Sequence, residues 1–344
     1  MTHIVSYNIL AGGYTLQKKG ARRTEQLTKI IRSAQPDVVG LVEAIHPQVT
    51  QRPWVAEEVA ENLGMQLIKG GTPARPQDYQ LALLTRLPVL STQIHARPGK
   101  LLRPLLEVCV EQENGQPLTV FVAHLSAAFN QGRGGGHIRM REVREILSIM
   151  APLREQGRPH VLMGDFNSLA PGESFTASEL LRYVVQLDNR RAEKKLYDGN
   201  PYLDSVVPRP LRFLIPLLKL VAGSKTLGTF FDAAAYYYAP RGCIRLLYEA
   251  GYVDSYRRKH PGDGGYTCPA EMPAGRIDYI FADPTLSSQL LSCEVITEAD
   301  GVSGKQASDH LALHAEFGDP VKRLLPEFEE DQTSASILKA DQYI

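Results

Sequence analysis

Apolar residues along this chain fall in short continuous runs, many of which end on a polar side chain followed by a turn signal. Short runs rich in Val, Ile and Leu predict buried strands rather than helices. Strands are expected at Ile4–Leu10, Asp37–Glu43, Leu81–Leu84, Val89–Ile94, Leu105–Glu111, Leu118–His124, Val161–Gly164, Arg276–Ala282, Cys293–Thr297 and Leu311–Phe317. Asn114-Gly115 marks a hairpin turn between two of them. Helical spacing runs through Thr24–Ala34, Pro53–Leu63, His137–Arg154 and Cys243–Ala250, with Gly251 closing the last. Ser126–Gly136, which holds the Gly134-Gly135-Gly136 triplet, reads as a loop. The arginines that follow it (Arg139, Arg141, Arg144) read as a solvated helix face or as phosphate contacts. Many strands and few helices predict the α+β class. The expected form is a four-layer α/β/β/α sandwich of two packed, mostly antiparallel sheets with outer helices.

Two stretches break the pattern. From about 174 to 240 strand signals vanish, and Ser178–Leu187 and Leu211–Val221 read as short amphipathic helices, with Tyr236-Tyr237-Tyr238 closing the segment. This segment is either an insertion that only packs on the body or a lid or recognition arm, because it leaves the chain directly after the loop at Asp165. Residues 319–344 are polar and acidic-leaning and read as an exposed tail. Residues 1–318 then form one domain that carries the insertion.

The polar residues at the run ends are the candidate chemistry. Val161-Leu162-Met163-Gly164 ends in a glycine turn, and Asp165 and Asn167 follow two apart, which on an extended chain presents them to one side. Asp-x-Asn is also ordinary turn chemistry. The other positions shift the balance towards a site: Asn8, Glu43, His124, Asp278, Asp309 and His310 lie at or beside strand ends. A sandwich could gather them on one rim. Carboxylates and asparagines are hard oxygen ligands suited to magnesium or manganese, and histidines supply acid–base capacity near neutral pH. So many like charges at one place need a cation or a proton.

Composition removes some alternatives. The formal net charge is zero, with 38 basic and 38 acidic residues, which excludes a uniformly basic nucleic-acid glove but not a local patch. The longest apolar stretch, around Leu211–Val221, is interrupted by Arg212, Pro216 and Lys219 and is too short for a membrane span. Four cysteines without metal-type spacing and the lack of a visible secretory signal predict a reduced, cytoplasmic protein.

Six motifs in order, Ser6-Tyr7-Asn8, Leu41-Val42-Glu43, Ala123-His124-Leu125, Gly164-Asp165-Phe166-Asn167, Arg276-Ile277-Asp278-Tyr279 and Ser308-Asp309-His310, carry a resemblance. The chain resembles the endonuclease/exonuclease/phosphatase superfamily, which includes pancreatic-type deoxyribonucleases, sphingomyelinases and inositol polyphosphate phosphatases. The resemblance implies a magnesium-dependent phosphodiesterase, with manganese as substitute, acting on a phosphate ester such as DNA or RNA. It implies that Glu43 binds the metal and that Asn8 and Asp309 add or steer ligands. His310 would be the general base with Asp278 holding its ring, Asp165 and Asn167 would orient water and phosphate, and His124 would donate to the phosphate. The Ala-His-Leu form is typical of the deoxyribonuclease, sphingomyelinase and phosphatase branches, whereas apurinic-site endonucleases typically carry tyrosine there. A carboxylate that pairs with this histidine in pancreatic-type deoxyribonucleases is not evident, Asp78 being the nearest candidate. Two other readings stay open: a phospholipid or inositol-phosphate hydrolase, and a silent binding module. Oligomeric state is not legible.

Overall fold

A computed structural model describes residues 1–15, 21–45, 52–71, 81–194, 203, 207 and 209–318. The expected tail at 319–344 and Asp78 lie outside the described residues. The strands are β1 (Thr2–Asn8), β2 (Val38–Val42), β3 (Gln66–Gly70), β4 (Leu81–Thr85), β5 (Val89–His95), β6 (Leu105–Glu111), β7 (Pro117–His124), β8 (His160–Asp165), β9 (Val253–Asp254), β10 (Asp278–Ala282), β11 (Leu290–Ile296), β12 (Glu298–Ala299), β13 (Val302–Ser303) and β14 (Ala312–Phe317). The longer helices are α1 (Thr24–Arg32), α2 (Val55–Leu63), α3 (Arg133–Glu155), α4 (Ala177–Lys194), α5 (Ile215–Gly223), α6 (Lys225–Tyr238) and α7 (Gly242–Glu249).

Two six-stranded sheets form, in the orders β11-β14-β1-β2-β4-β3 and β5-β6-β7-β8-β10-β9. Each holds one parallel pair among antiparallel ones, β1 with β2 and β7 with β8. Parallel neighbours need a crossover, and α1 and α3 supply it. The α+β expectation holds, with mixed and mostly antiparallel sheets.

Three apolar layers follow from the strand alternation. Ile4, Val38, Leu83, Val120, Met163 and Ile280 fill the space between the sheets. Val5, Leu41, Leu27, Ile30 and Val59 join the first sheet to α1 and α2. Phe121, Leu162, Val143, Ile146 and Leu247 join the second to α3 and α7. Between Ser174 and Pro240 the described elements are helical, and α4, α5 and α6 share a separate cluster around Leu181, Val184 and Val221.

Two local expectations fail, and two elements had none. The glycine triplet lies inside the first turns of α3, not in a loop. A Cβ at Gly135 would sit 2.1 Å from the Ala128 carbonyl oxygen and one at Gly136 would sit 2.6 Å from Pro240 Cβ, so the triplet serves close packing. Arg139 is buried on the inner side of α3, while Arg141 and Arg144 are exposed. The helix α6 and the strand β3 carried no recognised signal. β3 is an edge strand with Gln66 and Lys69 exposed, so only part of it reads as apolar.

Gly164 has φ +136°, and a Cβ there would lie 1.9 Å from the Ala123 carbonyl oxygen on the paired strand β7. Gly164→Ala is therefore expected to destabilise the protein by about 3 kcal/mol or more, read as a lowered midpoint in denaturant unfolding. A change within about 0.5 kcal/mol would show that the strand relaxes freely.

A second expected outcome concerns pH. His314 stacks on His3, with ring centroids 5.4 Å apart and Nε2 3.2 Å from His3 Nδ1. Burial, then the neighbouring His3, pushes the His314 imidazole down to about 4. The unfolded chain takes up this proton near pH 6.5, so the His314 contribution is complete above that value and is lost as pH falls towards about 4. Thermal unfolding of His314→Gln should flatten the stability curve in that window, and an unchanged slope would remove His314 as the cause.

Candidate active site

Strand direction brings the polar ends together. Asn8 and Glu43 stand at the C-terminal ends of the parallel pair β1 and β2, and His124 and Asp165 at those of β7 and β8. β10 runs antiparallel to β8, so its first residue Asp278 lies opposite Asp165. β14 runs antiparallel to β1, so Ser308-Asp309-His310 arrives just ahead of it on the same rim.

Side-chain contacts join the two sheets. His310 Nδ1 lies 2.8 Å from Asp278 Oδ2, and its Nε2 lies 4.0 Å from Asp165 Oδ2 and 3.5 Å from Asn8 Nδ2. Asn8 Nδ2 donates to Asp165 Oδ2 at 3.1 Å and to Glu43 Oε1 at 3.3 Å, while its Oδ1 accepts from the Leu10 N–H at 3.0 Å. Asn8 thus presents N–H groups, not oxygen, to the carboxylates. His124 Nε2 lies 3.5 Å from Asp165 Oδ2, and its buried Nδ1 has no hydrogen-bond partner among the described residues. Asn167 N–H donates to Asp165 Oδ1 at 2.8 Å, and Asn167 Nδ2 donates to the Leu125 carbonyl at 3.1 Å. Ser308 Oγ donates to the Asn8 carbonyl at 2.7 Å and accepts from the His310 N–H at 3.3 Å.

The backbone is strained where these side chains sit. Glu43 has φ +60° and Asn167 φ +48°, and Leu10, Ala11, Gly12 and Gly13 form a left-handed turn with φ between +46° and +77°. Non-glycine residues in this region cost about 1–2 kcal/mol each. The turn delivers the Ala11 N–H to Glu43 Oε2 at 3.0 Å and the Gly12 N–H to the Glu43 carbonyl at 2.8 Å. Arg23, almost wholly buried, clamps it by donating to the carbonyls of Ile9 (2.9 Å), Leu10 (2.6 Å), Tyr14 (2.9 Å) and Ala307.

Burial raises the Asp165 carboxyl to about 7, with Asp278 and Glu43 adding to the rise and His310 opposing it. Burial and then Asp309 raise Glu43. Burial works against the charged His310 ring, yet Asp278 and its other negative neighbours hold its pKa well above the usual value. Burial, then Arg103 and His310, hold His124 well below its own. None of Glu43, Asp165 and Asp309 pairs with lysine or arginine within 4.0 Å among the described residues. A buried Asp165 beside the half-buried Glu43 and Asp309, all hard oxygen donors without a fixed counter-cation, fits a divalent cation. Single atoms of Asp165, Asp278 and His310 also fall within 4.8 Å of one another. The 2.8 Å contact between His310 and Asp278 already accounts for most of that proximity.

Arg103 and Glu142 carried no recognised role in the sequence, and Arg139 carried a different one, a solvated face or a phosphate contact. Arg103 Nη1 donates to the carbonyls of His124 (3.4 Å) and Leu125 (3.1 Å). Arg139 donates to the Ser126 carbonyl at 2.9 Å, and the buried Glu142 accepts from the N–H groups of Ser126 (3.0 Å) and Leu102 (3.1 Å). Their polar contacts run to loops distant in sequence, and no local spacing announces them. A cavity of about 790 Å³ lies elsewhere, lined by Glu173, Asp254 and Arg257 among others. The buried Arg276 joins Glu173 and Asp254 there, and Arg257 also pairs with Glu173.

Two packed sheets carry acid, amide and imidazole groups on one rim, and the comparisons place this architecture in a family of hydrolytic phosphoesterases. Residues 5–310 match the model of the Endonuclease/Exonuclease/phosphatase family, and the chain belongs to it. A comparison with curated proteins gave no match. Among solved structures it is similar in fold to an AP endonuclease from Archaeoglobus fulgidus (15% identity, TM-score 0.55, covering 93% of this chain and 100% of that one). It is likewise similar to the 3' phosphatase NExo from Neisseria bound to a product DNA hairpin (16%, 0.52, 93% and 100%). A third is TDP2 from D. rerio with a single-strand DNA product (16%, 0.52, 92% and 99%).

Proposed function

We propose that the protein is a magnesium-dependent phosphodiesterase, with manganese as a substitute, that hydrolyses DNA or RNA. The observation that carries this reading is the buried His310–Asp278 pair, in which the His310 Nε2 faces Asp165 and Asn8 on the rim. A cation held by Glu43 and Asp309, with Asn8 steering the carboxylates, would neutralise phosphate charge as water attacks. His310 Nε2 takes the proton of the attacking water, and Asp278 fixes the ring with Nδ1–H directed inward. Asp165 and Asn167 orient the water and the scissile phosphate. His124, held neutral by burial, donates a hydrogen bond to a phosphate oxygen. Two of the fold relatives are described with DNA products, which favours a nucleic-acid substrate. The free cysteines Cys109, Cys243, Cys268 and Cys293 are in keeping with a reduced, cytoplasmic setting.

A base must be unprotonated, whereas the metal-free carboxylates favour the imidazolium form of His310. Adding a divalent cation should lower the His310 pKa, and imidazole NMR titration with and without magnesium measures it. A panel of DNA, RNA, inositol phosphates, sphingomyelin and a nitrophenyl diester, each with and without magnesium, tests the whole reading. Cleavage of none of them with either metal would overturn it. Cleavage of sphingomyelin or an inositol phosphate alone would favour the second reading, a lipid or inositol-phosphate hydrolase, which the apolar segment around α5 supports.

A further inference from the structure

The segment from Arg209 to Tyr238 is apolar on two sides. Its inner side packs on α4 through Leu218, Val221 and Phe231. The segment also leaves Phe213 75%, Leu220 65%, Phe230 73% and Tyr237 85% exposed, with Leu217 and Leu227 exposed as well. Leu217 and Leu220 share one face of α5 by their spacing, and Leu227, Phe230 and Tyr237 one face of α6. A helix that is apolar all round is ordinarily covered on all sides, and contiguous exposed apolar surface marks an interaction site.

The charge around this face says what covers it. Arg209, Arg212, Lys219 and Lys225 lie in the segment against a single acid, Asp232. Asp232 is occupied by the Ser178 N–H (2.7 Å) and Ser178 Oγ (2.9 Å). Arg209, Lys219 and Lys225 are exposed and form no ion pair among the described residues. We infer that α5 and α6 form a docking surface for an anionic lipid bilayer. Basic side chains beside exposed leucines and phenylalanines suit the headgroup boundary, where the cations meet lipid phosphates and the apolar groups enter the acyl region. A second copy of the chain would bring these cations against each other. Single-stranded nucleic acid would stack on Phe230 and Tyr237 but find no partner in Leu217 and Leu220. α5 and α6 lie on the bilayer and do not cross it, since among the described residues no helix is long and apolar enough to span. Bilayer docking would place a lipid hydrolase on its substrate but does not require one, and vesicle binding is read apart from turnover.

The test is flotation of the full chain with phosphatidylcholine vesicles, with and without phosphatidylglycerol. Binding is expected only with the anionic lipid and is expected to weaken in high salt. Leu217→Glu/Leu220→Glu should lower the bound fraction about tenfold or more, and Lys219→Glu/Lys225→Glu should do the same on anionic vesicles. Both variants should keep wild-type circular dichroism and unfolding midpoint. No binding by the wild type, or binding undiminished in both folded variants, overturns the proposal. So does a dimer dissolved by Leu217→Glu/Leu220→Glu without vesicle binding, or retention on single-stranded DNA instead of vesicles.

Discussion

His310→Ala should lower turnover of a soluble diester by roughly a thousandfold, within the about 10²–10⁴ that a positioned general base contributes. The geometry gives His310 no substitute. Its Nδ1 is committed to Asp278 at 2.8 Å, leaving only Nε2 towards the rim. His124 cannot take over, because burial and Arg103 keep it a poor base. Asp278→Asn should cost nearly as much, since a neutral amide neither fixes the ring tautomer nor stabilises the imidazolium that forms. The double variant should be little worse than either single one, because the two act as a unit. Steady-state assays would show kcat falling with KM little changed. Turnover above a tenth of wild type in His310→Ala would sink the assignment of the base.

Asp165→Asn also has a large expected effect on activity, and its effect on stability depends on pH. Asp165 carries the rim's charge towards both histidines, at 3.5 Å from His124 and 4.0 Å from His310. Without it, turnover should fall at least about a hundredfold. The sign of the stability effect follows from its pKa, raised in the fold to about 7, mainly by burial. The unfolded chain loses this proton near pH 4, so in metal-free protein the charged form is disfavoured in the fold. Wild type therefore loses stability from this group as pH rises from about 4 through about 7, and the variant does not. The asparagine also turns a donor towards Asn8 Nδ2, now 3.1 Å from Asp165 Oδ2, a penalty that does not vary with pH. The melting temperature of the variant minus that of wild type should thus rise by at least about 2 °C between pH 4.5 and 8 in chelator. Magnesium should shrink the difference by stabilising the wild-type carboxylate. A difference that is flat or falls with pH would refute a charge buried at a cost.

Much of the fold could be read from the chain because buried strands in a sandwich leave continuous apolar runs. β2, β7, β8 and β10 are of this kind, with core residues on both faces. β3 escaped because an edge strand buries only part of its length. α6 escaped because alanines, phenylalanines and tyrosines are spread around it without one polar stripe. The glycines before His137 read as a loop because close approach of two backbones leaves no local mark.

The candidate site divides in the same way. The sequence by itself determined which strand ends carry acid, amide and imidazole groups, since each is fixed by the residues beside it. It could not say that Asp278, at the start of its strand, would oppose Asp165, at the end of its own. Nor could it say that Asn8 would turn its N–H groups to Glu43 and Asp165, or that Arg23 would clamp the turn that holds Glu43. Those contacts join residues from 9 to 284 positions apart, and chiefly strand direction and sheet packing bring them together. The physical reason is that a polar group's local neighbours set its chemistry, whereas its partner and its pKa are set by burial and charge from distant parts of the chain.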